Sequence, residues 1–178
     1  MSRYEQPDYS VVASRGSFEI RRYESWLAAE TTVQGDFDSV GNNAFRRLAG
    51  FIFGRNSEGQ KMNMTVPVTR EETAPNTYRY RFVMEKAYSE ENLPRPVDRS
   101  IEVVRVAAGF YAATRYRGRR NESQYRRVEA ALRQALHQDG IKTTGNAVNA
   151  VYDGPMKPPM LRRNEVLIPV AWSQHDAT

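Results

Sequence analysis

Alternating hydrophobic and polar residues mark several segments of the chain as β-strands. In KMNMTVPVT, residues 61–69, the apolar residues fall at every second position, as they do in TYRYRFVME, residues 77–85. In the first segment they are Met62, Met64, Val66 and Val68, and in the second Tyr78, Tyr80, Phe82 and Met84. One buried and one solvated face is typical of antiparallel sheets, so we predict antiparallel strands here. Pro67 and Pro169 lie within strand-like runs and favour strand edges or bulges there.

A period near 3.6 predicts two helices. The first apolar stripe consists of Val40, Ala44, Phe45, Leu48, Phe51 and Ile52, and the second of Tyr125, Val128, Leu132, Ala135 and Leu136. Asp36 or Asp38 could cap the first helix and Gly54 could end it; for the second, the candidates are Asn121 or Ser123 and Gly140. The first helix ends with three consecutive apolar residues, Phe51, Ile52 and Phe53. A helix that buries a single face can bury only two of them well, so Phe53 is a candidate for covering a cleft.

The two halves of the sequence resemble each other. The run FEIRRY, WLAAETTVQG and FRRLAGFIFG is matched, at an offset of 84 to 80 residues, by IEVVRV, FYAATRYRG and YRRVEAALRQAL. We therefore predict one domain, residues 1–178, with an internal duplication of roughly 9–88 and 97–172. Two long helices among about eight strands predict an α+β fold.

The amino-acid composition excludes several classes of protein and of active site. The 178 residues are 40% hydrophobic and 11% aromatic, which excludes a disordered chain, and they include no cysteine, which excludes thiol catalysis and iron–sulfur clusters. The two histidines are His137, near the end of the second helix, and His175, in the polar tail. His137 is interpreted as a helix-end cation, with a metal or haem-iron ligand as the alternative. No apolar run approaches a membrane span and the first residues lack a secretion signal, so we expect a cytoplasmic protein.

The charge of the chain is carried by arginine. The net charge is +5, with 22 Arg against 4 Lys, which indicates either a solvated surface or an anionic partner. These arginines are spread through both halves, and no helix-turn-helix or RNP pattern occurs, so nucleic-acid binding is not expected. No GxSxG, P-loop or GxGxxG arrangement is present, and no catalytic residue is assigned.

Three segments of the chain together resemble the SOUL/haem-binding protein family. They are YSVVASRGSFEIRRYESWLAAET at 9–31, KMNMTVPV at 61–68 and YDGPMKPPMLRRNEVLIPV at 152–170. With the internal duplication, the resemblance extends from about Tyr9 to Ala171. It implies a distorted antiparallel β-barrel of two pseudo-symmetric halves, each with one long helix, that binds haem or a related tetrapyrrole reversibly and without a covalent bond.

The resemblance also implies where the ligand binds. A hydrophobic cleft beside the first helix would be lined by Leu48, Phe51 and Ile52 together with Met62 and Met64. Arg47, Arg55 and Lys61 could meet the two propionates, a role that suits their positive charge. No histidine precedes His137, so we expect haem to be held without a strong axial histidine. Such a site favours carriage, buffering or sensing.

Two other functions remain open. The architecture is also similar to GyrI-like effector-binding modules, which hold cationic or amphipathic ligands at a buried carboxylate, for which Glu165 is the candidate. An unpaired buried Glu165 would favour this function, whereas an ion pair with Arg162 or Arg163 would be purely structural. The third possibility is an enzyme acting on an amphipathic substrate, although no motif supports it.

Overall fold

The computed structural model describes residues 4–119 and 121–173. His175 and most of the predicted polar tail lie outside these residues. The described residues form nine strands and two α-helices: β1 Tyr9–Ser14, β2 Glu19–Tyr23, β3 Trp26–Gln34, α1 Gly41–Ile52, β4 Val68–Ala74, β5 Thr77–Val83, β6 Glu102–Val106, β7 Gly109–Arg117, α2 Glu122–Gln138, β8 Val148–Val151 and β9 Arg163–Pro169. A short 3-10 turn, Pro159–Leu161, precedes β9. All strand pairings described below are antiparallel, and with the two helices they confirm the α+β class.

The chain forms two compact units. Unit 1 contains residues 4–7 and 25–107, and unit 2 contains residues 8–24 and 108–173. Within unit 1 the strand order is β4-β5-β3-β6, and within unit 2 it is β1-β2-β7-β9-β8. The units therefore differ from the two sequence halves, because β2 of the first half pairs with β7, while β6 of the second half pairs with β3. The duplication itself stays a prediction.

The core of unit 1 lies between its sheet and α1. Helix α1 packs on β3 and β5. Its buried residues, Ala44, Leu48, Ala49, Phe51 and Ile52, largely follow the predicted stripe. Phe45 differs: it is 44% exposed, and its ring stands 5.3 Å from that of Phe82 on β5. The alternation predicted for β5 is confirmed, since Tyr78, Tyr80 and Phe82 are buried.

The core of unit 2 is formed by its sheet and α2, which packs on β7 and β9. Tyr125, Leu132 and Leu136 are the buried residues of α2. Asn121 caps the helix as predicted, because its side chain accepts a hydrogen bond from the backbone N–H of Gln124. Gly140 follows the helix with a φ of +69°, the left-handed conformation that glycine adopts readily.

Two local predictions were wrong. The strand expected from residue 61 begins only at Val68, because the backbone donors of Met62 and Val66 bond outside any sheet, to the carbonyls of Ile52 and Glu5. The burial alternation predicted for this segment also fails, because Thr65, on the face expected to be solvated, is buried, whereas Met64 and Val66 are only half-buried. No side chain caps α1, because the carbonyl of Asp36, rather than a side chain, accepts the donors of Ser39 and Val40.

Candidate functional site

The C-terminal end of α1 is fixed by a network of loop hydrogen bonds. The amide of Asn56 donates to the carbonyls of Phe51 and Gln60, and its oxygen accepts from the backbone N–H groups of Glu58 and Gln60. Met62 donates its backbone N–H to Ile52 over 2.7 Å. The loop that follows α1 is therefore held as a rigid cap on the helix, with no regular strand to support it.

A second loop, Ser89–Ser100, is bound to the first. The backbone of Ser57 donates to the carbonyl of Arg95, and the hydroxyl of Ser57 accepts from the backbone N–H of Arg95. Val97 donates its backbone N–H to the carbonyl of Arg55. These contacts place residues 95–98 beside the end of α1. Nothing in the sequence indicated that these two loops are neighbours.

The eight predicted site residues divide by exposure. Leu48, Phe51, Ile52 and Met62 are buried in unit 1, whereas Met64 and Arg47 are half-buried and Arg55 and Lys61 are exposed. The four buried residues belong to the packed interior of unit 1. Their predicted contact with a ligand stays a prediction.

The apolar surface at this end of α1 is formed by residues outside that set. Phe53 lies outside the apolar stripe of α1 and is 55% exposed. Val97 is 68% exposed, next to Arg55 through the backbone hydrogen bond described above. Phe53 was found from the excess of consecutive apolar residues. Val97 could not be found, because its place beside α1 depends on the contact between two loops.

Two of the predicted cations act on one carboxylate. Hydrogen bonds from the hydroxyl and backbone N–H of Ser100, followed by the positive charges of Arg47 and Arg55, lower the pKa of Asp98. The Arg55 side chain also lies over the helix, since a Cβ on Gly50 would stand 3.1 Å from its Cδ. Arg47 and Arg55 therefore lie near enough to Asp98 to act on its charge. Among the described residues, neither forms an ion pair within 4.0 Å.

A different charged cluster is buried in unit 2. The side chains of Arg21 and Glu165 are both fully buried and form a two-pronged ion pair, with Nη1 to Oε2 at 2.7 Å and Nη2 to Oε1 at 3.0 Å. Glu165 also accepts hydrogen bonds from the Tyr152 hydroxyl, at 2.8 Å, and from Arg163, at 2.7 Å. Arg21 further donates to Glu19 and to the hydroxyl of Tyr23.

The partners of Glu165 keep it ionised. Burial alone would raise the pKa of Glu165, but the hydrogen bonds and charges of Arg21 and Arg163 lower it to about 2. Burial and the negative charge of Glu165 raise the pKa of Tyr152, so its hydroxyl remains a donor. Of the partners expected for Glu165, Arg163 is confirmed, whereas Arg162 donates to the backbone carbonyls of Lys157 and Pro155.

Metal ligands do not converge among the described residues. No group of three or more His, Cys, Asp or Glu side chains in 4–119 and 121–173 has the arrangement of a metal site. His137 is exposed in the last turn of α2, consistent with a helix-end cation. Unit 1 has no histidine in its sequence. In the same described residues, neither helix combines the length and apolar character needed to cross a membrane.

The sequence profile described as SOUL heme-binding protein matches residues 4–169. The chain belongs to this family. Heme-binding protein 2 from Mus musculus is 40% identical over 55 residues, a match that spans 30% of this chain and 27% of the mouse protein. The relation to the SOUL family therefore extends over nearly the whole chain, whereas this curated relative matches only about a quarter of its own length.

Solved structures share the fold of this SOUL family member at low sequence identity. The EcmrR C-terminal domain superposes with a TM-score of 0.66 and 12% identity, covering 93% of this chain and 99% of that domain. A protein from Listeria innocua, described as a hydrolase, superposes with a TM-score of 0.65 and 12% identity, covering 89% of this chain and 94% of that one. At such identities the likeness concerns the fold alone.

Proposed function

We propose that this chain binds haem or a related tetrapyrrole reversibly at the C-terminal end of α1, for carriage, buffering or sensing. The observation that carries the proposal is the pairing of exposed apolar surface, on Phe53 and Val97, with two arginines that act on one carboxylate. A tetrapyrrole is a flat apolar ring with carboxylates at its rim, so it needs both features together. Membership of the SOUL family supports this ligand class.

The residues at the C-terminal end of α1 have different roles in this proposal. The ring lies against Phe53, Val97 and the half-buried Met64, whose flexible thioether adapts to a flat surface. Arg47 and Arg55 bind the propionates in competition with Asp98, and Lys61 adds a further positive charge. The buried Leu48, Phe51, Ile52 and Met62 hold α1 and its loop in place beneath the ring.

The donors available in unit 1 suit a ligand held by its ring and carboxylates. Met62 and Met64, in the loop that follows α1, carry thioether sulfurs, and the sequence of unit 1 contains no histidine. Haem iron, when bound, would supply the visible absorption that reports on occupancy. The protein side chains supply apolar contact and charge.

A GyrI-like function, with an organic cation bound to Glu165, is less well supported. That function needs a buried carboxylate that is free to pair with the ligand. Glu165 is buried, but Arg21 and Arg163 already neutralise it. A cation would have to displace arginines that are held by several hydrogen bonds, so the tetrapyrrole proposal is preferred.

Haemin titration tests the proposal. We expect a Soret shift that saturates near one equivalent, and the absence of a saturable shift would reject the function. Phe53→Asp should weaken binding about tenfold or more, because it places a negative charge on exposed apolar surface without disturbing the core. His137→Ala is the matched control and should leave the spectrum unchanged; loss of the spectrum in this variant would show that iron ligation dominates.

The role of the arginines is tested separately. Arg47→Gln with Arg55→Gln should weaken haemin binding about tenfold, since two ion pairs at exposed or half-buried side chains together contribute about 1–2 kcal/mol. The same double variant should bind the dimethyl ester of haem as the unmodified protein does, because the ester has no free carboxylate. Arg46→Gln, on the exposed side of α1, is the control, and it removes one positive charge where the double variant removes two. Equal losses for haemin and its ester would contradict a propionate-binding role.

A further inference from the structure

Four charged side chains form a compact block on the sheet of unit 2. In the antiparallel register of β7 and β9, Arg115 lies opposite Glu165 and Arg117 lies opposite Arg163. Because residues two apart on a strand share a face, all four side chains are on the same side of the sheet. The block thus contains three cations and one carboxylate.

Glu165 has no capacity left to neutralise these cations. It accepts six hydrogen bonds from the side chains that the structure describes: two from Arg21, two from Arg163 and one each from Arg115 and Tyr152. A carboxylate offers about four lone-pair sites, so the donors already exceed the acceptor. Arg115 uses only its Nε, at 3.2 Å, and Arg163 only its Nε and Nη2. The remaining guanidinium donors are available to another acceptor.

Arg117 and Arg163 are a pair of like charges directly opposite each other, an arrangement that destabilises a sheet. Within 4–119 and 121–173, no carboxylate lies within 4.0 Å of a nitrogen of Arg117. The side chain of Arg115 is 59% exposed and that of Arg163 is 33% exposed. The cations therefore gather at the accessible margin of the buried ion pair, where an anion could reach them.

Neighbouring acidic residues do not cancel this excess. Glu19 pairs with the buried Arg21. Asp153 pairs with Lys157 and accepts a hydrogen bond from the backbone N–H of Arg163. Counting these partners together, the cluster still retains more positive than negative charge.

The Arg163 side chain and the backbone of Arg117 are also held in position. The guanidinium of Arg163 lies 4.0 Å from the centre of the Tyr152 ring, a stacked arrangement that limits its motion. The carbonyl of Arg117 accepts a hydrogen bond of 2.6 Å from the side chain of Gln124, which fixes the end of β7. Gly118 must follow without a side chain, since its φ is +125° and a Cβ would stand 2.8 Å from the Oε1 of Gln124. Fixed donors lose less entropy when they bind a ligand.

We propose that Arg115, Arg117 and Arg163 form a binding site for a small oxyanion, a carboxylate or a phosphate group, on the sheet of unit 2. The planar, multi-donor guanidinium group matches the geometry of both anions. The oxyanion would bridge Arg117 and Arg163 and supply the acceptor that Glu165 no longer offers. This site uses none of the residues assigned to tetrapyrrole binding, so the two proposals are tested independently of each other.

The test is a titration of the full chain, at constant ionic strength, with inorganic phosphate, phenyl phosphate and benzoate. The side-chain Nε–H signals of Arg115 and Arg163 are followed by ¹H–¹⁵N NMR. Saturable shifts with the two phosphates alone support a phosphate site, and saturable shifts with benzoate as well support a site for oxyanions in general. Shifts that stay linear with all three ligands would overturn the proposal.

Variants separate a specific site from general charge attraction. Arg117→Gln should weaken binding about tenfold or more, whereas Arg22→Gln, at an exposed position on β2, should not. The melting temperature of Arg117→Gln should be unchanged or higher, because the substitution removes a like-charge contact. Arg46→Gln, at an exposed position on α1, should also leave oxyanion binding unchanged. Unaltered binding in Arg117→Gln would contradict the assignment.

Discussion

Replacing Glu165 with Gln is expected to destabilise the protein strongly, although the two side chains have nearly the same shape. The substitution removes the negative charge opposite Arg21, whose side chain is fully buried. It also replaces one acceptor oxygen by an NH₂ group, which faces the guanidinium donors of Arg21 or Arg163. The buried cation then retains only the partly exposed carboxylate of Glu19 as a counter-charge.

The expected cost is about 3–5 kcal/mol, the range for breaking a buried ion pair by removing one partner. Domains are typically stable by only about 5–15 kcal/mol, so this loss is a large part of the total. The double variant Arg21→Met with Glu165→Leu removes both fully buried charges, and the ions that lose a partner, Glu19, Arg115 and Arg163, are partly exposed. Its cost should be clearly smaller than the sum of the two single changes, which would give a coupling energy of about 2 kcal/mol or more.

Urea unfolding followed by tryptophan fluorescence measures these free energies, with Trp26 and Trp172 as the reporters. The control is Glu90→Gln, which removes the exposed ion pair with Arg105 and should cost less than about 1 kcal/mol. A loss below about 1 kcal/mol for Glu165→Gln, or additive losses in the double variant, would refute the view that the buried pair stabilises unit 2.

The structure gives two further predictions about the free energy of unfolding, one for its pH dependence and one for the cap of α2. Burial alone would raise the pKa of Glu165, but Arg21 and Arg163 lower it from 4.5 to about 2, so its contribution is complete above pH about 4.5 and is lost as the pH falls towards 2. Urea unfolding at a series of pH values should show a decline on the order of 3 kcal/mol over this interval, which Glu165→Gln should remove. Asn121→Ala, which deletes the cap of α2, should cost about 1 kcal/mol and lower the melting temperature by a few degrees, whereas an unchanged melting temperature would mean that the cap contributes nothing.

Much of the fold could be predicted from local patterns. The apolar stripe of α1 and the alternation of β5 were visible because each element buries one face. Asn121 was found as the cap of α2 because its residue type and position suit that role. The strand expected from residue 61 was wrong at its start, because the backbone donors of Met62 and Val66 bond outside any sheet and the burial of these residues does not alternate.

The sites depend on contacts between distant residues, which a single sequence does not show. Phe53 could be found because an excess of apolar residues on a helix is a local signal. The approach of Arg55 to Val97 depends on two loops meeting. Arg21 and Glu165 are 144 residues apart, and only the pairing of β2, β7 and β9 brings them together. Glu165 was identified as a candidate, but its principal partner was not.

The most direct test of tetrapyrrole binding maps the ligand on the protein by its paramagnetism. A ¹H–¹⁵N NMR spectrum recorded with ferric haemin should lose intensity mainly at Phe53, Arg55 and Val97, and at the neighbouring residues of α1. The same spectrum with diamagnetic zinc protoporphyrin gives the reference. Broadening confined to these residues is the result that we predict. Broadening centred on the Glu165 cluster, or spread evenly over the chain, would contradict a tetrapyrrole site at the end of α1.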